Sequence, residues 1–260
     1  MCETLMTASP IRAILFDLGG TLEDVYYDDS LRLQATHGFR DLLAKHDLHP
    51  GLAIPDLCAV IKSGMTKYKK WCEESERELP PERVWNEFVF TNHDLPKEKL
   101  AAISEELAFY WDTRFSKRGL RPEAFALLDA LRELGFRLGV ISNINSRTMV
   151  PQNLTEYGIR HYFEIVLTSA EFGWRKPNPR IFLEATRLMK LQPTECAYVG
   201  DTVSRDVVGA RRAGYGLAIQ IKSFLTAQSD CETDVEPPDA VIQNLMQVVD
   251  VATRSSEYRQ

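Results

Sequence analysis

The sequence predicts an α/β protein, a parallel-sheet core interrupted by one block of helices. Three observations lead there. Ala13 to Phe16 is a short apolar run that stops abruptly at Asp17, the pattern of a strand buried on both faces. From Pro122 onward, short apolar runs alternate with amphipathic stretches of helical period, which implies right-handed βαβ units and a parallel sheet. Between these two regions, residues 28–116 carry helical periodicity without convincing strands. The chain therefore divides into a discontinuous core, residues 1–27 and 117–260, and a helical cap, residues 28–116.

The elements follow in order. Residues 1–10 read as a loose tail. The first strand ends at Asp17, and Gly19 and Gly20 let the backbone turn and approach a bound group. Ser30 to Lys45 and Pro55 to Glu76 are amphipathic helices, with Leu31, Phe39 and Leu43 apolar in the first and Leu57, Ile61 and Met65 in the second. Pro80-Pro81-Glu82 starts another helix, and Pro96 to Phe115 reads as one long one. Glu123 to Leu134 is a helix with Gly135 after it. Arg137 to Ile141 is a strand ending in Ser142-Asn143, and Arg147 to Tyr157 is helical. Phe163 to Leu167 is a strand, Pro179 to Met189 a helix, and Ala197 to Val199 a strand running into Gly200-Asp201. Ser204 to Ala213 is a helix and Gly216 to Ile221 a strand. Lys222 to Pro238 is a polar loop, Ala240 to Ile242 a last short strand and Asn244 to Val251 a closing helix.

Composition narrows the function classes. The 260 residues suffice for one large domain or two smaller ones, with a substantial core in either case. A net charge of −6, with acids and bases mixed, repels a phosphate backbone, so no nucleic-acid partner is expected. Cys2, Cys58, Cys72, Cys196 and Cys231 are odd in number and form no C-x-x-C pair, which argues against a disulfide framework or a zinc site. Met1 to Pro10 has no long apolar run, and no run approaches membrane-spanning length. The expectation is a cytoplasmic chain without a membrane partner. In that setting Asn153-Leu154-Thr155 is a chance match to a glycosylation acceptor.

The C-terminal ends of parallel strands converge along one edge, where open α/β sheets place their ligands. Four groups fall there: Asp17 with Thr21 beyond it, Ser142 with Asn143, Lys176 before Pro177, and Asp201 followed by Asp206. Each alone has an ordinary reading, as a turn residue, a helix cap or a solvated lysine. Together they are the parts of phosphoryl transfer. A carboxylate, with a reference pKa of about 3.9, is a nucleophile at neutral pH without an activating base. Mg²⁺ prefers oxygen ligands and phosphate, and a lysine suits phosphate as a point charge. Asp17 and Asp201 are placed to share such a metal, with Asp206 close by. Ser142 and backbone amides at helix starts are placed to hold phosphate oxygens.

In this order the set resembles the haloacid dehalogenase-like hydrolase superfamily, in the branch with a helical cap between its first and second motifs. Asp17-Leu18-Gly19-Gly20-Thr21 is similar to the first motif, Ser142 to the second, Lys176-Pro177 to the third, and Gly200-Asp201 with Asp206 to the fourth. The resemblance implies a Rossmann-like core and Asp17 as the phosphoryl-accepting nucleophile. It implies Mg²⁺ held by Asp17, the Gly19 carbonyl and Asp201, with Asp206 supporting that site. Ser142 and Asn143 would bind phosphate, and Lys176 would bind phosphate and stabilise charge. A small phosphorylated metabolite is the implied substrate.

One departure matters. Phosphatases of the family usually carry a second aspartate two residues after the nucleophile, as general acid and base, and here that position is Gly19. A positioned acid–base contributes roughly 10²–10⁴-fold. Glu23 and Asp24 are near in sequence but are not expected to replace it. Two competing readings remain: a catalytically weak binding or regulatory protein, which Gly19 favours, and a metal-independent dehalogenase, which Asp201 and Asp206 argue against. Trp71, Trp85, Phe88, Tyr110 and Trp111 of the cap are expected to pack in its core. Replacing Gly19 by Asp is expected to restore an acid and to favour alkyl phosphates.

Overall fold

The computed structural model describes residues 10–229 and 237–257. The expected tail thus lies almost wholly outside the described residues, as does part of the expected polar loop. Among the described residues no helix is long and apolar enough to cross a membrane. Cys58, Cys72 and Cys196 are buried free thiols, while Cys2 and Cys231 lie outside the described residues.

Strand β1 is Ala13–Phe16, followed by β2, Glu23–Tyr26. A helical insert comes next: α1 Asp29–Lys45, α2 Ile54–Ser75, α3 Pro81–Val84 continuing into a wide π-helical turn, α4 Lys97–Ala102 and α5 Ser104–Arg114. The chain leaves the insert through β3, Lys117–Leu120, antiparallel to β2 with Tyr26 opposite Lys117 and Glu23 opposite Leu120. This two-stranded ribbon was not legible in the sequence. Its strands are short and partly polar, and they pair across the whole insert. The expected helix Pro96–Phe115 is two helices, because the backbone leaves helical geometry at the buried Ile103.

The insert has its own core, built on Phe39, Leu43, Leu57, Ile61, Trp85 and Leu107. Trp85 is fully buried, and its indole N–H donates to the Ser104 carbonyl at 3.0 Å. Phe88, Tyr110 and Trp71 pack around the insert's clusters as the sequence suggested. Trp111 also packs there and faces a cleft described below.

The rest is the core: α6 Ala124–Glu133, β4 Arg137–Ser142, α7 Met149–Glu156, β5 Ile165–Thr168, α8 Ser169–Phe172, α9 Pro179–Met189 and β6 Cys196–Gly200. After these come α10 Val208–Arg212, β7 Leu217–Ile221, α11 Phe224–Ser229, β8 Ala240–Ile242 and α12 Gln247–Glu257. The expected polar loop therefore contains α11. Six strands form a parallel sheet in the order β5-β4-β1-β6-β7-β8. Side chains alternate across it, as strand geometry requires. Ile14 and Phe16 pack with Leu127, Leu131 and Val150 on one face, while Ala13 and Leu15 pack with Ile181, Phe182 and Met189 on the other. Each large side chain so buried contributes about 1.5–3 kcal/mol.

The sheet fixes the location of the site. Strand β1 is central, and the chain runs first to β4 and β5 on one side, then to β6, β7 and β8 on the other. That reversal is the switch point where open α/β sheets form a crevice. Phe16 pairs with Val140 on one side and Val199 on the other. Asp17 is thereby level with Ile141 and Gly200, and Ser142 and Asp201 stand one residue further on.

Candidate active site

Asp17 is 8% exposed at the end of β1. Its Oδ1 accepts the Leu18 amide at 2.8 Å and faces the Lys176 ammonium at 2.9 Å. Both contacts fall on one oxygen. The following turn is closed by the Gly20 amide, which donates to the Glu23 carbonyl at 2.8 Å. Gly20 has φ +88°, and a Cβ there would lie 2.4 Å from Asp201 Oδ2. Only glycine satisfies both the turn and this approach. Gly19 lies outside the left-handed region, and a Cβ on it would meet Arg118 Nη1 at 3.1 Å. The hydroxyl of Thr21 is buried without a hydrogen-bond partner.

Lys176 is the hub. Its ammonium reaches Asp17 and, at 2.7 Å, Asp206, and it donates to the Ile141 carbonyl at 3.1 Å and the Tyr198 hydroxyl at 2.8 Å. Asn143 holds it from behind: its Nδ2 donates to the Lys176 carbonyl and its Oδ1 accepts the Lys176 amide, both at 2.9 Å. The Asn143 carboxamide thereby helps to position Lys176, and Asn143 also lines both clefts beside this edge. Ser142 is buried at the end of β4, opposite Thr168 of β5.

The expected helix from Ser204 begins instead with a wide π-helical turn over Val203–Val207. This widening turns Asp206 back toward its own strand end, where its Oδ2 accepts the Thr202 amide at 3.0 Å and hydroxyl at 2.8 Å. Ser223 and Thr226 complete the surroundings of Asp201, donating to Oδ2 at 2.7 Å and to its carbonyl at 2.8 Å. Ser223 lies two residues past the end of β7, close enough to a strand end for the rule that found the other groups to have found it. Thr202 and Tyr198 carried no comparable signal.

Asp17, Asp201 and Asp206 each offer an oxygen, all within 4.8 Å of one another. Burial pushes Asp17 above the ordinary carboxylate range, against the pull of Lys176 and with the repulsion of Asp206. Burial, then Asp206 and Asp17, push Asp201 up to about 7. Burial also opposes the charge on Asp206, but Lys176 and Arg205 prevail and hold it below the usual range. Asp201 Oδ1 is buried without a hydrogen-bond partner. Buried carboxylate oxygens in excess of one ammonium are the donor set that a hard divalent cation takes.

Two clefts of about 250 and 300 Å³ adjoin this edge and share Lys69, Cys72, Asn143 and Arg175 on their walls. The first reaches Lys176. The second reaches Asp112 and Arg118. Residues 76–78 tie the insert to the core here. The Glu78 amide donates to the Gly173 carbonyl at 3.1 Å, and the Arg175 amide to the Glu76 carbonyl at 2.9 Å. The buried Glu78 carboxylate pairs with Arg175 and accepts from Tyr68 and, at 2.6 Å, from Ser169.

The neighbouring acids are structural. Glu23 is fully buried and accepts from Arg118 at 2.8 Å and Asn153 at 2.9 Å. Asp24 is largely exposed and pairs with Arg121 at 3.3 Å. Asn153 is itself buried by these contacts, which removes it as a glycosylation acceptor in the folded chain.

The family model described as haloacid dehalogenase-like hydrolase matches residues 11–214, from just before β1 to just past α10. The chain belongs to that family. Its fold agrees: the 2-haloacid dehalogenase from Pseudomonas syringae pv. Tomato DC3000 superposes with a TM-score of 0.65 at 24% identity, over 94% of this chain and 99% of that one. A glyceraldehyde 3-phosphate phosphatase of Methanopyrus kandleri is 36% identical over 60% of this chain, which spans 65% of that relative. One of Methanothermobacter thermautotrophicus is 32% identical over 83% of this chain and 88% of its own length. The chain is a hydrolase of this family.

Proposed function

We propose that the chain is a Mg²⁺-dependent phosphatase acting on a small phosphorylated metabolite, with Asp17 as nucleophile. The observation that carries the reading is the buried contact of Lys176 with both Asp17 and Asp206, beside Asp201. The phosphatase names of the two relatives support the reaction class. Residues 28–116 act as a cap over the strand ends.

An oxygen of Asp17 attacks phosphorus, the ester P–O bond breaks, and the phosphoryl group passes to the carboxylate. Ser142 and the Asn143 amide bind the transferring phosphate. Lys176 neutralises charge on the phosphate and keeps Asp17 oriented. Asp17, the Gly19 carbonyl and Asp201 would hold Mg²⁺, with Asp206 orienting them. Bound there, the ion supplies positive charge to the phosphate oxygens. Water then attacks phosphorus, the bond to Asp17 breaks, and inorganic phosphate leaves.

The test is phosphate release from a panel of phosphorylated metabolites, with Mg²⁺ and with chelator, by wild type and Asp17→Asn. The amide is nearly isosteric but not nucleophilic, so turnover should need both the metal and Asp17. Turnover retained by the folded variant would remove Asp17 from this role. No turnover by wild type on any substrate would favour a binding or regulatory protein, the reading that Gly19 supports.

A further inference from the structure

We propose that Asp112, carried on α5 of the insert, is the general acid for the leaving oxygen, the part that position 19 cannot play. The proposal rests on the phosphatase reading above.

Position 19 is closed to a proton donor by more than its missing side chain. The space a Cβ would enter is bounded by Arg118 Nη1 at 3.1 Å. Arg118 is fixed there by Glu23 at 2.8 Å and by the Asp112 carbonyl, to which its Nε donates at 2.7 Å. A guanidinium does not release its proton in a protein. Glu23 is fully engaged by Arg118 and Asn153, and Asp24 is turned to solvent.

Asp112 is joined to this point through its carbonyl, which accepts from Arg118 Nε at 2.7 Å. It stands on the wall of the roughly 300 Å³ cleft together with Arg118, Asn143, Ile144 and Asn145, the last three following directly on Ser142. The carboxyl is anchored at one oxygen: Oδ2 accepts the Ser146 amide at 3.0 Å. Oδ1 is thereby left to carry a proton. Burial pushes Asp112 up to about 7, against the pull of Arg118 and the Ser146 amide, with Glu78 adding to the rise and Arg175 opposing it. Arg32, Lys62 and Lys69 also line this cleft, and Glu105 on the same helix is engaged by Ser146 and Thr148. A catalytic acid works best with a pKa near the operating pH.

The step balances. As the ester P–O bond breaks, its electron pair stays on the leaving oxygen, which takes the proton from Asp112 Oδ1. Asp112 is then a carboxylate and accepts a proton from the water that attacks phospho-Asp17, which restores the acid.

The experiment compares kcat/KM for glycerol 3-phosphate and p-nitrophenyl phosphate, in wild type and Asp112→Asn, across pH. A nitrophenolate leaves without a proton and an alkoxide does not. Asp112→Asn should lose about 10²–10⁴-fold on the alkyl ester, the share of a positioned acid, and less than about tenfold on the aryl one. In wild type the alkyl profile should fall above about pH 7 while the aryl profile does not, and the variant should lose this difference. The aryl ester should also give a burst of nitrophenol in the variant, because the second step has lost its base. Equal losses on both esters, or an unchanged alkyl rate, overturn the proposal. If the variant does not fold, wild-type pH profiles that coincide for the two esters overturn it. Absence of wild-type turnover on both esters and on every metabolite of the panel above overturns the phosphatase reading itself, and the proposal with it.

Discussion

Gly19→Asp separates the sequence's expectation from the structure's. From sequence the change restores the family's acid and should raise alkyl phosphate turnover by as much as roughly 10²–10⁴-fold. The backbone permits a side chain, since Gly19 lies outside the left-handed region. What the side chain meets is different: its Cβ lies 3.1 Å from Arg118 Nη1 and 4.0 Å from Glu23 Oε2. Unit charges about 4 Å apart at an effective dielectric near 20 interact by about 4 kcal/mol, so Arg118 attracts the new carboxylate and Glu23 repels it by similar amounts. Arg118, the nearer of the two, favours the ionised form, which donates no proton. Arg118 must also give by a few tenths of an ångström, loosening its 2.8 Å pair with Glu23; overpacking of this kind costs about 1–3 kcal/mol. The expected outcome is a folded, somewhat less stable protein whose alkyl kcat/KM rises by less than about tenfold, against the 10²–10⁴-fold of a working acid. Thermal melts and kcat/KM on paired alkyl and aryl esters measure both effects. A selective alkyl gain above about 100-fold would refute this reasoning, by showing that Arg118 yields the position and that the acid missing at 19 has no substitute.

Other outcomes follow from the same geometry. Gly20→Ala should cost about 1–3 kcal/mol for φ +88° and also abolish Mg²⁺ binding, because its Cβ falls 2.4 Å from Asp201 Oδ2; calorimetric titration and denaturant melts report the two effects. Asp201→Asn should bind Mg²⁺ weakly or not at all in the same titration, and binding equal to wild type would remove Asp201 from the metal site. Glu78→Ala should destabilise by about 1–3 kcal/mol in urea, since Tyr68 and Ser169 lose their buried acceptor and the partly exposed Arg175 guanidinium its partner; Glu78→Gln, which keeps an acceptor for Tyr68 and Ser169, should cost less.

What the sequence determined by itself was whatever depends on neighbouring residues. An apolar run of four that stops at a carboxylate is a local pattern, and so is the alternation of strand and helix after Pro122. Parallel sheets align their strand ends, so Asp17, Ser142, Asp201 and Asp206 could be set along one edge from their order alone. Tertiary structure decided what those neighbours face. The β2–β3 ribbon joins residues on either side of the insert, and no local period marks it. Asn143, expected as a phosphate ligand, also bonds through its side chain to the Lys176 backbone, far away in sequence. Arg118 and Asp112 carry no motif, and each has a dozen ordinary uses on a helix or strand. They stand out because the fold sets Arg118 against position 19 and places both on the wall of one cleft. Charge, burial and reach between such residues are properties of contacts closed over long stretches of chain, and only the folded core and insert together fix them.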